Sequence, residues 1–316
     1  MITYKSVDDL NRSLVRNLQK FPRDIDVVVG IPRSGMLPAN LLALYLNKPF
    51  VDLDSFLQGR RFGIGDRGQF VAEECYGKAL VIDDSIASGV ALRRAREKIE
   101  QSQVAKDYSI IYAVVYATTQ SAHHVDVCCE IVDGDRIFQW NLFHHPYFIQ
   151  KSCFDIDGVL CENPTVDDDG PLYEKHLTQA RALYVPTVEI DTLVTCRLEK
   201  YRKLTESWLQ THNVKYRHLV MLDLPDKAAR IKWNQHGVFK GQLYKKSDAL
   251  IFVESSLHEA EVIQRVSGKP VFCTETFTLL QSINRLFFVR RVVGRMIRTL
   301  HLYWFVRLAR KALRRA

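Results

Sequence analysis

Short runs of β-branched and aliphatic residues recur along the chain, and each is too brief for anything but a strand or one buried helical turn. In the first half they are Ile25–Ile31, Phe50–Leu53, Ala79–Ile82, Tyr108–Tyr116 and Val125–Val132. In the second half they are Ser152–Leu160, Leu193–Thr195 and Ala249–Ser255. Apolar runs without polar alternation suit parallel strands buried on both faces. Helices are expected from near Val90 and over KGQLYKKS, which Lys240 opens. The pattern predicts an α/β chain with parallel sheets.

The last segment has a different period. In a helix from Leu286 to Leu300, Leu286, Val289, Val292, Val293, Met296, Ile297 and Leu300 share one face, and Arg290, Arg291, Arg295 and Arg298 the other. Tyr303, Trp304 and Phe305 follow, then a cluster of Arg307, Arg310, Lys311, Arg314 and Arg315. Arginines interrupt every apolar run well short of the roughly 18 residues that a spanning helix needs. A basic amphipathic helix of this kind is expected to lie on a membrane surface, drawn by anionic lipid at the cytoplasmic face.

Charge sharpens this division. The chain has 316 residues, enough for about two domains, and a formal net charge of +8. Ten Lys or Arg residues and no acid follow Glu275, leaving 34 basic against 36 acidic residues in the remainder. The basicity belongs to the tail, and a nucleic-acid-coating body is not expected. The cysteines are Cys75, Cys128, Cys129, Cys153, Cys161, Cys196 and Cys273. An odd count without a C-x-x-C pair argues for reduced thiols over disulfides or a zinc site. Asp8 and Asp9 close behind the first residues leave no basic-then-apolar leader, so no secretory signal is expected. The expected location is the cytoplasm, peripheral at the inner face of the cytoplasmic membrane.

The most informative stretch is ALVIDDSIASGVA, residues 79–91. A buried strand delivers Asp83 and Asp84 to a loop of small residues ahead of a helix, where backbone N–H groups can cradle an anion. Two acids beside such a cradle suit hydroxyls or a metal. Upstream, the strand ending in VVVG runs into Pro32, Arg33, Ser34 and Gly35, a second natural anion site. Both motifs, in this order, resemble the type I phosphoribosyltransferases, which use 5-phosphoribosyl 1-diphosphate (PRPP). The resemblance implies that Asp83 and Asp84 hold the ribose hydroxyls. It further implies that Ser85, Ile86, Ala87, Ser88 and Gly89 hold the 5-phosphate, and that Arg33, Ser34 and Gly35 meet the diphosphate. It also implies that the loop Gly59–Gly68 closes over PRPP, with Arg60, Arg61 or Arg67 reaching the diphosphate. Mg2+ and Arg33 would stabilise the departing diphosphate.

Ala87 stands where some purine-using members carry an acid that contacts the base, so the acceptor base or its chemistry differs here. Asp52 and Asp54 are candidates for deprotonating an acceptor hydroxyl, with loop solvation or a helix cap as the alternative. His144 and His145, beside Pro146, read as an interdomain loop, since no further histidine or carboxylate has ligand spacing.

The second half repeats the theme with SCFDIDGVL, residues 152–160. Residues two apart on an extended chain point to the same side, so Asp155 and Asp157 can face one substrate while Gly158 turns the chain away. This resembles the first motif of the haloacid dehalogenase-like phosphatases. The resemblance implies Asp155 as nucleophile and Asp157 as acid or base, Thr195 as the phosphate-binding hydroxyl, Lys240 as the phosphate-neutralising lysine with Lys245 and Lys246 as alternatives, and Asp155, Asp157 and Glu254 as Mg2+ ligands. ESSLHEA replaces a closely spaced acidic pair, and Glu259, on a following helix, is expected to face elsewhere.

The two resemblances imply a pair of three-layer α/β domains: a phosphoribosyltransferase domain over 1–148 and a phosphatase domain with little room for a cap over 149–280, before the membrane-surface tail over 281–316. The functional expectation is transfer of 5-phosphoribose from PRPP to an acceptor glycan, lipid-linked, with removal of the 5-phosphate to leave a ribofuranosyl residue in bacterial polysaccharide synthesis. Soluble nucleobase salvage with a fused nucleotide phosphatase is the alternative, and a PRPP-sensing regulator the third reading. Oligomeric state is not readable from the sequence.

Overall fold

Stiff aliphatic runs become the strands here, and the polar segments between them carry the helices. The computed structural model describes residues 2–60, 77–165 and 169–281. It divides into two compact units between Leu142 and Phe143.

The first unit runs β1 (Thr3–Lys5), α1 (Val7–Arg16), β2 (Val27–Gly30), α2 (Met36–Leu46), β3 (Phe50–Asp52), α3 (Leu53–Leu57), β4 (Gly77–Ile86), α4 (Val90–Glu100), β5 (Tyr108–Ala117), β6 (Val127–Ile131) and β7 (Arg136–Phe138). Five strands form a parallel sheet in the order β3-β2-β4-β5-β6. Alternate residues of one strand feed opposite faces, as the two-residue strand period requires. Val28, Leu80 and Ile82 pack with Leu10, Leu14, Ala39 and Leu42 of α1 and α2. Val27, Val29 and Val81 pack with Phe56, Leu92, Ala95 and Ile99 of α3 and α4. Helices on both faces make the three-layer α/β arrangement. β1 pairs in parallel with β7 outside this sheet.

The second unit runs α5 (Pro146–Ile149), β8 (Ser152–Phe154), α6 (Pro171–Gln179), β9 (Ile190–Leu198), α7 (Arg202–Thr211), β10 (Tyr216–Leu222), α8 (Lys227–Trp233), α9 (His236–Lys246), β11 (Ile251–Glu254), α10 (Leu257–Ser267), β12 (Val271–Cys273) and β13 (Thr278–Leu280). Its strand order is β10-β9-β8-β11-β12-β13, parallel except that β13 is antiparallel to β12. The expected all-parallel sheet thus carries an antiparallel edge. One apolar cluster packs Val194, Phe252 and Tyr244 with Ala260 and Ile263 of α10. Another gathers Tyr173 and Leu177 of α6 with Leu198 and Leu222.

Strand order, more than strand identity, locates the sites. In an open parallel sheet a crevice forms where consecutive connections leave in opposite directions, at the carboxyl ends of the strands. In the first unit that switch lies between β2 and β4, and in the second between β8 and β11. No helix among the described residues is long and apolar enough to cross a membrane. The tail from Leu286 onward lies outside the described residues, as do Arg61, Arg67 and Cys75. The other six cysteines are unpaired.

Candidate active sites

At the first switch point, β4 extends beyond the expected end at Ile82 to Ile86, held by its register against β5, with Asp83 opposite Val114 and Ser85 opposite Tyr116. The acid pair is therefore inside the strand, and the turn is confined to Ala87, Ser88 and Gly89 before α4. Ala87 and Ser88 are exposed, open to an anion at the start of the helix. Ser121 Oγ and Arg136 Nη2 both donate to the Ile86 carbonyl, at 3.1 and 3.2 Å, and fix the base of this turn.

The β2 loop approaches from the side. Gly35 precedes α2, and a Cβ there would stand 2.5 Å from the Ile31 carbonyl oxygen, 2.8 Å from that of Ile82 and 2.9 Å from Asp83 Oδ1. Only a glycine lets this loop lie so close to the acids. Ser34 Oγ then donates to Asp84 Oδ1 at 3.0 Å, while Trp140 Nε1 donates to Oδ2 at 2.6 Å. Asp84 N donates to Asp83 Oδ1 at 2.8 Å. Both acids are buried, and burial together with the Asp84 charge pushes the Asp83 carboxyl up to about 8. Among the described residues no ion pair reaches either one, so the pair is open to ribose hydroxyls with a divalent cation nearby. Arg33 is exposed at the mouth.

The candidate bases are accounted for differently. Asp52 caps α3, accepting from Ser55 N at 2.9 Å, and these Ser55 hydrogen bonds hold its carboxyl below the usual range. Asp54 pairs with Lys98 at 2.8 Å. Arg60 is exposed, with its N–H donating to the Ser55 carbonyl.

In the second unit β8 ends at Phe154, so Asp155 follows the strand directly. Asp155 N donates to the Val253 carbonyl at 3.0 Å, which ties the turn to β11. Gly158 takes φ +75°, and a Cβ there would collide with Ser255. A cavity of about 210 Å³ opens here, lined by Asp155, Thr195, Arg230, Lys240, Glu254 and Glu259 among others. Lys240 does not open a helix as expected; it lies in the middle of α9 and is buried. Its ammonium donates to Asp155 Oδ2 and Glu254 Oε2, both at 2.8 Å, and to Glu259 Oε2 at 2.7 Å. Lys245 and Lys246 are exposed.

Glu259 is a correction. Ser256 caps α10 immediately after β11, accepting from Glu259 N, so Glu259 falls in the first turn above the strand end instead of facing away. Burial opposes its ionisation, yet His236 and Lys240 hold its carboxyl down to about 2. One ammonium thus serves three carboxylates, and burial with the neighbouring Glu254 pushes Asp155 up despite Lys240. Asp155 Oδ2 and Glu254 Oε2 converge on the Lys240 ammonium, so these two acids could hold a divalent cation in its place, which when bound would polarise phosphoryl oxygens.

Asp157 departs from its expected part. Arg197 Nε donates to its Oδ2 at 3.0 Å and Nη2 to its Oδ1 at 2.7 Å. Although burial opposes it, this guanidinium, with His176 nearby, holds the carboxyl well below the usual range. A carboxylate held this way does not give up or take a proton readily, and both oxygens are withheld from a metal. Asp157, Cys161 and His176 come close enough together to suggest a cation site, but Arg197 Nη2 stands 3.1 Å from Cys161 Sγ, and its charge excludes one. Thr195 is buried, and its Oγ1 accepts from Arg197 N at 3.2 Å, with β9 continuing past it to Leu198.

Sequence reasoning missed Arg197, Arg230, Trp140 and Arg136. Arg197 had a signal, since a charged residue inside the run LVTCRL requires a buried partner. The others had none, because only the fold brings them in. His144 Nδ1 lies 3.1 Å from Thr187 Oγ1, and His145 precedes α5.

The sequence model of the family described as "Phosphoribosyl transferase domain" matches residues 2–151. Among solved structures, the purine phosphoribosyltransferase of Pyrococcus horikoshii Ot3 is similar at 17% identity over 44% of this chain and 93% of its own, with a TM-score of 0.33. For the xanthine-guanine-hypoxanthine phosphoribosyltransferase of Helicobacter pylori the values are 15%, 45%, 93% and 0.34. For the orotate phosphoribosyltransferase of Aeropyrum pernix they are 18%, 38%, 70% and 0.25. No curated protein matches the chain. The family match spans both the Gly35 loop and the acids at the end of β4, and residues 2–151 are a phosphoribosyl transferase domain.

Proposed function

We propose that this chain transfers 5-phosphoribose from PRPP to a hydroxyl of a lipid-linked glycan, and that its second unit removes the 5-phosphate to leave a ribofuranosyl residue. The observation that carries the reading is the presence, in one chain, of two strand-end acid sites at topological switch points. One is a phosphoribosyl transferase domain, and the other sets Asp155 against Lys240, Glu254 and Thr195.

In the first site, breaking the bond from C1 to the diphosphate leaves positive charge on the ribosyl ring and negative charge on the leaving group. Asp83 and Asp84 position the ring through its hydroxyls, the backbone of Ala87, Ser88 and Gly89 takes the 5-phosphate, and Arg33 meets the diphosphate. A divalent cation carried in with PRPP would supply charge neutralisation at the leaving group. In the second site the Asp155 carboxylate attacks phosphorus and the ester oxygen departs as the alcohol, taking its proton from solvent, after which water cleaves the phosphoaspartate to release phosphate and restore Asp155. Lys240 and Thr195 balance charge on the phosphoryl oxygens. Asp157, clamped by Arg197, is not the proton donor in this arrangement.

The test is diphosphate release from PRPP and magnesium by the full chain. Release that depends on a membrane fraction rich in lipid-linked glycan, and is lost in Asp84→Asn, supports the proposal. Release that depends on a nucleobase and ignores the fraction overturns the choice of acceptor.

A further inference from the structure

The cavity of the second unit is lined by two basic side chains, Lys240 and Arg230. Lys240 contacts three carboxylates. Arg230 comes from the short helix α8, between β10 and α9. Among the described residues it has no carboxylate within ion-pair distance. Its Nη1 donates to the Cys196 carbonyl at 3.2 Å, which pins the guanidinium beside the strand residue that follows Thr195. Its Nε is buried and has no hydrogen-bond partner. A buried guanidinium N–H without an acceptor costs free energy unless something arrives to fill it. Tyr173, lining the same cavity, also faces this guanidinium.

The geometry points to Arg230 as a substrate-binding residue of the second site, taking a non-reacting oxygen of the phosphoryl group through its free Nε. Thr195 and Lys240 then serve the other oxygens, so a phosphate dianion meets donors from β9, α9 and α8. A guanidinium suits this better than an ammonium, because one N–H can stay on the Cys196 carbonyl while another reaches the anion.

This inference rests on reading the second unit as a phosphatase, and the experiment separates the two. Hydrolysis of p-nitrophenyl phosphate with magnesium is measured for the full chain, for Arg230→Ala and for Arg230→Lys, with inorganic phosphate as competitive inhibitor. Loss of a charge-assisted hydrogen bond predicts that KM and the phosphate inhibition constant both rise on the order of ten- to a hundredfold in Arg230→Ala, with kcat changed far less. Arg230→Lys recovers part of the loss, and its unfolding midpoint matches the unmodified chain. If the inhibition constant for phosphate stays put while KM for the ester rises, Arg230 binds another part of the ester and the inference fails. Unchanged KM in a fully active variant also overturns it. An unmodified chain that neither hydrolyses the ester nor responds to phosphate removes the phosphatase reading itself.

Discussion

Arg197 and Asp157 show how far a single partner changes what a carboxylate can do. In an extended D-x-D both acids face one substrate, which is how Asp157 reads from spacing alone. In the folded chain the guanidinium of a side chain with no exposed surface occupies both of its oxygens. Replacing Arg197 by Met leaves the half-buried Asp157 carboxylate without its main counter-charge and lowers stability by about 3 kcal/mol in urea unfolding. Adding Asp157→Asn restores much of that loss. A small effect of Arg197→Met alone contradicts the clamp.

Asp83 makes a prediction of the opposite sign. Burial and the neighbouring Asp84 push its folded carboxyl up to about 8, above the roughly 3.9 of an unfolded chain, so the folded state binds the proton more tightly. Stability contributed by this group is fully present below the unfolded value and falls as pH rises toward 8. Asp83→Asn removes that penalty. Its melting temperature exceeds that of the unmodified chain by a margin that grows from about pH 4 to about pH 8 and flattens above, while transfer from PRPP is lost. A margin independent of pH contradicts the burial argument.

At the scale of elements, the two sites depend on where strands stop and helices start. Extension of β4 to Ile86 puts the acids in the sheet and leaves three residues for the turn. The β2 loop reaches the acids because Gly35 has no side chain. Gly35→Ala forces that loop away from Asp83, lowering stability by about 1–3 kcal/mol and abolishing PRPP turnover, as denaturant unfolding and diphosphate release would show. An active, equally stable variant contradicts the close approach.

Much of this was legible in the chain. All five strands of the first sheet lie within or overlap the apolar runs, and α4 begins at Val90 as expected. Strand ends were less legible, because tertiary pairing with β5, not local composition, decides how far β4 continues. In the second unit β10 has a legible apolar run, Leu219–Leu222, behind exposed Arg217 and His218, and the sequence reading omits it. Strands β12 and β13 are three residues each, too short to carry a period. Glu259 was misplaced because the cap at Ser256 starts α10 immediately after β11, which places its first turn over the cavity.

At the scale of the molecule, the proposed function joins the transferase domain, the second unit and the basic tail in one pathway. The tail predicts that the full chain sediments with vesicles containing anionic lipid, that a chain ending at Gln281 does not, and that salt releases the bound protein. Equal sedimentation of the shortened chain would remove the membrane from the account. The joining of transfer to dephosphorylation is the central claim, and mass spectrometry of the acceptor tests it most directly. Incubated with PRPP, magnesium and a membrane fraction bearing lipid-linked glycan, the unmodified chain is expected to yield an acceptor carrying a pentosyl residue without phosphate. Asp155→Asn is expected to yield the same acceptor carrying a phosphopentosyl residue. Phosphate-free product from Asp155→Asn in equal amount, or no pentose on the glycan from either protein, would contradict the account.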